Sequence, residues 1–184
     1  MNNDIHYMNK ALQQAEIAAE NNEVPVGAIL VLEDGREFTG SNSPIASSDA
    51  SAHAEMQAIR RASTSTNNYR LTGSTLYVTL EPCCMCAGAI IHARIKRVVY
   101  GAKDIKTGAV ESLYQILSDP RLNHQPEVTG SILADECSAM LKQFFKARRV
   151  TKQKEENQQI PIISGLTGMD GSHIKVSTKN KEFS

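Results

Sequence analysis

Apolar residues recur at Ile5, Met8, Leu12, Ala15 and Ala19. Intervals of three and four return to one face of an α-helix, so residues 4–21 are predicted to form an amphipathic helix. The pattern then changes period. "VGAILVLEDG" is a β-rich apolar run, and its Asp34-Gly35 pair predicts a hairpin into "REFTG". "SNSPIASSDAS" is a polar loop rich in turn and cap formers that hands over to a second helix near residue 52. "STLYVTL" predicts a strand, a helix is expected from about Pro82 to Ala93, and "KRVVYGA" predicts a further strand. Cys137, Met140, Leu141, Phe144 and Phe145 then trace the buried stripe of a last helix.

This order of helix, hairpin, helix, strand, helix, strand and late helix predicts an α/β fold. A three-layer α/β/α sandwich around a mixed central sheet of about five strands accounts for it, antiparallel at the hairpin and parallel where helices cross over. No internal repeat is present. From residue 152, "KQKEENQQIPIISGLTGMDGSHIKVSTKNKEFS" loses periodicity and gains polar residues and glycines. Residues 1–151 are therefore read as the domain and 152–184 as a flexible tail outside its core.

Composition narrows the class without naming a function. A chain of 184 residues suits one well-buried domain, and 41% hydrophobic with 22% charged residues is ordinary for a folded, soluble protein. Lys plus Arg equals Asp plus Glu at 20 each, so net charge alone predicts no affinity for nucleic acid. Distribution adds something. Arg94, Lys96, Arg97, Lys103 and Lys106 crowd together with one acid, Asp104, and a second basic run spans Lys142 to Lys154. Each is read either as a phosphate-facing patch or as a solvated face. The N-terminal "MNNDIHYMNK" has no apolar core of signal-peptide length and no apolar run approaches ~18 residues. The expectation is a cytosolic protein with no membrane partner and with reduced thiols.

Three of the four cysteines lie in "PCCMC", residues 82–86, a layout better suited to metal than to disulfides. Cys83 and Cys86 are spaced to face one side of a helical turn, and Pro82 suits a first helical position. Thiolates at a helix N-terminus are stabilised by its dipole and free amides. His53, near another predicted helix start, supplies a third ligand. A Cys2His zinc site leaves a fourth position for water, the catalytic rather than the closed arrangement. Competing readings are a redox C-x-x-C pair, which leaves His53 unexplained, and a structural site, which needs a fourth ligand. Cys84 would point elsewhere on the turn, and Cys137 reads as core. His6, His92, His124 and His173 have no partner spacing. Glu55, two residues after His53, is not needed as a ligand. Zinc lowers the pKa of bound water toward ~7, and a carboxylate beside that water can take its proton and pass one to a leaving amine. H-x-E with P-C-x-x-C is the signature of zinc nucleobase deaminases.

More of the chain than this signature is informative. "EVPVGAIL", "NSPI", "AHAE", "NYRL", "TLYVTLEPCCMCAGAIIHARIKRVVYGA", "DIKTGAVESL" and "ILADECSAMLKQFFKARR" together resemble the bacterial tRNA-specific adenosine deaminases over roughly residues 4–150. The resemblance implies a cytidine deaminase-like fold. It also implies a homodimer that hydrolyses adenosine to inosine at the wobble position, 34, of an arginine tRNA anticodon. It makes His53, Cys83 and Cys86 the ligands of one zinc per chain and Glu55 the proton shuttle. Asn42 becomes a hydrogen-bonding partner of the flipped nucleoside and Val24 a wall of the base pocket. Asp104 and Lys106 become residues approaching the RNA, with Asn123 a lesser candidate. Asn42 and Asp104 are read equally well as loop turn formers beside Pro44 and Gly108. Cys84 stands where the family usually has valine. An anticodon loop suits such an enzyme because its bases are already unstacked, and the 94–106 basic cluster is expected at the pocket mouth. Two alternatives remain: a deaminase of a free base or nucleoside such as guanine or cytidine, and a noncatalytic zinc-stabilised RNA-binding module.

Overall fold

In a computed structural model, residues 2–158 are described. Helix α1 (Asn2–Glu20) leads into strands β1 (Gly27–Val31) and β2 (Glu37–Ser41), then a short helix α2 (Pro44–Ser47) and helix α3 (Ala54–Thr66). Strand β3 (Thr75–Leu80), helix α4 (Cys84–His92) and strand β4 (Arg97–Ala102) follow. A single 3-10 turn at Ile116–Ser118 precedes strand β5 (Glu127–Thr129) and helix α5 (Ala134–Gln158).

The strands form one sheet in the order β2-β1-β3-β4-β5. β1 pairs antiparallel with β2 and β3, whereas β3–β4 and β4–β5 are parallel. This is the mixed five-stranded sheet expected, and side-chain alternation explains its two covered faces. Ala28, Leu30, Leu76, Val78, Val98 and Tyr100 point to the side where Ala54, Ala58 and Ile59 of α3 and Ile90 and Ile91 of α4 are buried. Ile29, Tyr77 and Val99 point to the other side, against Met8 and Ala11 of α1 and Cys137 of α5. The result is three layers, α/β/α.

Four sequence expectations change. The loop before residue 52 contains helix α2, with Pro44 in its first turn. Pro82 is not the first residue of α4: Cys83 is its N-cap, with φ −75° and ψ 175°. The segment 82–83 is held extended because the Ala109 amide donates to the Pro82 carbonyl at 2.8 Å and Cys83 forms a β-bridge with Gly108. The stripe on α5 is buried only at Cys137, and Phe145 is 45% exposed; period alone reports a face, not its cover. Finally, residues 152–158, expected as tail, continue α5. "KQKEENQ" lacks an apolar stripe but consists almost wholly of good helix formers. The rest of the expected tail, 159–184, lies outside the described residues.

Candidate active site

Glu81 directly follows β3 and Ala102 ends β4, and the Glu81 amide donates to the Ala102 carbonyl at 2.9 Å. The chain turns there into Cys83 and α4, so Cys83 and Cys86 sit at the carboxyl ends of two parallel strands. That is where open α/β sheets build their sites. His53 arrives from the other direction, as the N-cap residue of α3. Its Nδ1 lies 3.7 Å from the Sγ of Cys83 and 3.7 Å from that of Cys86. All three ligand atoms fall within 4.8 Å of one another.

These distances test whether zinc fits. Zn–S and Zn–N bonds of about 2.3 and 2.0–2.1 Å at tetrahedral angles place S and N roughly 3.6 Å apart. The observed separations match without rearrangement, and the soft thiolate and imidazole donors suit zinc. Among the described residues this is the one cluster of three such groups, and neither Glu55 nor Cys84 belongs to it. Cys84 is exposed on the outer side of the turn and Cys137 is buried elsewhere.

The charges around the cluster are arranged to hold a cation. Cys83 is brought down to about 4, first by hydrogen bonding from Cys86 and then by His53, outweighing its burial. Cys86 is pushed up by the neighbouring Cys83 and by burial, and binding a metal requires both thiols to be deprotonated. His53 is raised by its contact with Cys83. Glu55 has only 3% of its surface exposed. Burial raises its pKa above the carboxylate range, opposed by its own backbone amide and by His53, and its carboxyl also faces Cys86. Glu55 is thus a buried carboxyl beside the ligand cluster and outside the ligand set.

Asn42 is brought to the same place. It is buried, its amide donates to the Val26 carbonyl at 3.0 Å, and its Oδ1 accepts from the Ala54 amide at 3.1 Å. It thereby caps the first turn of α3, between His53 and Glu55. With Oδ1 committed to an N–H, its amide nitrogen faces away as a free donor. These contacts give Asn42 the structural role of a cap on α3. Val24 is half-buried against the core on the same β1 approach.

Asp104 is largely occupied by its own turn. It accepts from the Lys106 amide at 2.9 Å, the Thr107 amide at 3.1 Å and the Thr107 hydroxyl at 2.6 Å. This turn sits beside the metal site because Gly108 bridges Cys83, and Lys106 is exposed on it. Asn123 is not brought there. Its carbonyl accepts from Arg94 at 2.6 Å, and the next residue, His124, contacts the Ile95 carbonyl at 2.7 Å.

The basic cluster of residues 94–106 is therefore divided. Arg94, Lys96 and Arg97 precede or begin β4, whereas Lys103 and Lys106 follow it. Six residues at about 3.3 Å each separate the two groups by roughly 20 Å. Arg97 is also engaged, donating to both carboxylate oxygens of Asp4 at 2.7 and 3.0 Å. Adjacency in sequence suggested one patch; a strand through its middle makes two.

Besides Asp4, two buried carboxylates escaped the sequence reading. Glu23 accepts from the Ala46 amide of α2 at 2.8 Å. Glu81 accepts the amides of Asp104, Val110, Glu111 and Ser112 together with the Ser112 hydroxyl. The only local signal for Glu81 is a charge at the end of an otherwise apolar strand.

Comparison with known proteins agrees with this chemistry. Residues 1–102 match the family described as the cytidine and deoxycytidylate deaminase zinc-binding region. A tRNA-specific adenosine deaminase from Haemophilus influenzae is 50% identical over 155 residues, 83% of this chain and 89% of that protein. A solved structure from biochemical and structural studies of A-to-I editing by tRNA:A34 deaminases superposes with a TM-score of 0.70 at 46% identity. The match spans 73% of this chain and 98% of that one. A guanine deaminase from Nitrosomonas europaea shares the fold, with a TM-score of 0.66 at 21% identity, over 76% of this chain and 83% of that one.

Proposed function

The chain belongs to the cytidine and deoxycytidylate deaminase family and, within it, to the tRNA-specific adenosine deaminases, and we propose that it converts adenosine to inosine at wobble position 34 of a tRNA anticodon, with tRNA-Arg as substrate. The observation that carries this is the Cys83–Cys86–His53 cluster with Glu55 buried beside it, on a chain half identical to an enzyme of that name.

His53, through Nδ1, and the thiolates of Cys83 and Cys86 hold one zinc. Bound there, zinc acts as a Lewis acid that lowers the pKa of water toward ~7. Glu55 takes the proton that the water gives up as its oxygen bonds to C6 of the adenine. It passes that proton to N1, then moves the C6 hydroxyl proton to the amino group, so that the C6–N bond breaks, ammonia leaves, and the C6=O and N1–H of inosine remain. The low dielectric around Glu55 favours a group that holds and releases a proton over one that stays ionised. Asn42, through its free side-chain amide, and Val24 orient the flipped nucleoside. Asp104 and Lys106 line the approach of the flanking RNA. Asn123, exposed in the segment before β5, is a lesser candidate for contact with the RNA.

Residues 1–151 are proposed as the deaminase domain. The cytoplasm, where tRNA is used, is the proposed location; among the described residues no helix is long and apolar enough to cross a membrane. A homodimer is proposed as the working form, supported by the half-covered apolar face of α5 at Phe145. The test of the function is incubation with total tRNA followed by sequencing, in which inosine reads as guanosine. The expected result is one new A-to-G site, at position 34 of tRNA-Arg. Turnover of free guanine or cytidine, unaffected by competing tRNA, overturns the proposal.

A further inference from the structure

Glu81 lies one residue before the metal turn, and it has only 2% of its surface exposed. One of its oxygens, Oε1, accepts the amides of Val110, Glu111 and Ser112 at 3.2, 2.7 and 2.8 Å. The other, Oε2, accepts the Asp104 amide at 3.0 Å and the Ser112 hydroxyl. Five donors converge on one carboxylate, and all five come from the segment 104–112, which has no helix or strand of its own. That segment carries Asp104 and Lys106.

Other contacts show how closely the segment is fitted. Gly108 bridges Cys83, and the amide of Ala109 donates to Pro82 at 2.8 Å. A Cβ on Gly108 would collide with the Glu81 carboxyl and the Asp104 carbonyl. Loops of this kind expose backbone N–H groups that must find partners. Here one buried side chain supplies them, and it is covalently next to the ligand turn.

We propose that Glu81 is a positioning residue for substrate recognition: its carboxylate clamps the 104–112 loop against the metal turn and so fixes where Asp104 and Lys106 meet the RNA. The proposal rests on the reading of the site as one for adenosine in an RNA loop. A clamp on the loop governs how tightly the RNA is held. It leaves the ligands and Glu55 in place, so loss of the clamp acts on KM before kcat.

Glu81→Gln keeps the shape but replaces one accepting oxygen by an NH2 group. That group cannot accept from backbone amides, so either two or three of the five donors lose their partner. Three measurements on the same sample decide the matter: zinc content, steady-state kinetics on an anticodon stem-loop, and amide hydrogen exchange. The expected result is zinc at the parent level and KM raised about tenfold or more, with kcat changed far less. Exchange should quicken at the amides of Asp104, Val110, Glu111 and Ser112 and stay unchanged in α3. Zinc loss, a fall in kcat at unchanged KM, or exchange at parent rates overturns the proposal. Should Glu81→Gln not fold, Ser112→Ala removes only the hydroxyl donor. It should raise KM and quicken exchange at Ser112 to a smaller degree, and parent values for both overturn the proposal. If the parent itself fails on the stem-loop, the substrate reading falls, and the exchange data still decide whether Glu81 holds the loop.

Discussion

Glu55 and His53 sit two residues apart, yet they answer to different physics. His53 presents a ring nitrogen to two sulfurs, whereas Glu55 is buried behind that cluster without joining it. Glu55→Ala should therefore fold, keep its zinc and bind an anticodon stem-loop, while activity falls by a hundredfold to about ten-thousandfold or more. Glu55→Gln should fare little better, since an amide cannot relay the proton. His53→Ala should lose zinc and activity together. Zinc content and single-turnover deamination on the three variants check this, and a zinc-free Glu55→Ala would return Glu55 to the ligand shell. His53 with Glu55 and Cys83 with Cys86 were legible in the sequence because each pair is close along the chain and helix geometry converts that spacing into position. Asn42, Glu23 and Glu81 were not legible in the same way. Their partners are backbone amides 12, 23 and up to 31 residues away, and no local pattern records such contacts.

At the scale of elements, the predicted helices and strands survive best where period is strict. α1, β1, β3 and β4 fall where the hydrophobic pattern put them. β5 has three residues, too few for any alternation, and was invisible. α5 outruns its apolar stripe because propensity continues after amphipathicity ends. How the elements are joined is likewise set by single contacts. Gly40 of β2 is one: a Cβ there would collide with the Ala54 carbonyl and crowd the Ala58 amide, so its absence lets α3 lie directly on the sheet. Gly40→Ala should push away the turn carrying His53 and Glu55, lowering both melting temperature and kcat, as calorimetry and kinetics would show. A second joint is Asp4, which accepts from Arg97 of β4 at 2.7 Å and from Tyr77 of β3 at 3.2 Å. Asp4→Asn should cost about 1–3 kcal/mol. The pH dependence has a definite sign. The Arg97 hydrogen bond, against some burial, holds Asp4 below its ordinary value. Its stabilisation is thus present in full above about pH 4, the unfolded value, and is lost as pH falls through the lower folded one. Parent and Asp4→Asn melting temperatures should differ at pH 7 and converge on acidification.

For the whole molecule the question is how a chain of zero net charge holds a polyanion. The sheet supplies an answer that composition does not. Its parallel strands gather the metal turn, the Glu81-held loop and Lys106 at one end, and leave Lys96 exposed at the other, about 20 Å of strand away. Lys103 and Arg97 are partly neutralised by Glu111 and Asp4, so the count of lysines and arginines overstates the charge offered to RNA. Each phosphate neutralised by a protein cation releases counterions, and the logarithm of affinity then falls with that of salt at a slope of about −0.7 per contact for single strands. An anticodon loop bound at the metal end should feel Lys106 and not Lys96. Lys106→Gln is therefore expected to weaken stem-loop binding and to make the salt slope shallower by about 0.7–1. Lys96→Gln should leave both unchanged, although it removes the same charge from the same stretch of sequence. Fluorescence anisotropy across a salt series on the parent and the two variants measures the slopes directly. Equal loss of slope in both would mean that RNA wraps the sheet from end to end. A loss confined to Lys96→Gln would place the RNA at the end of the sheet away from the metal turn and would count against the proposed role of Glu55.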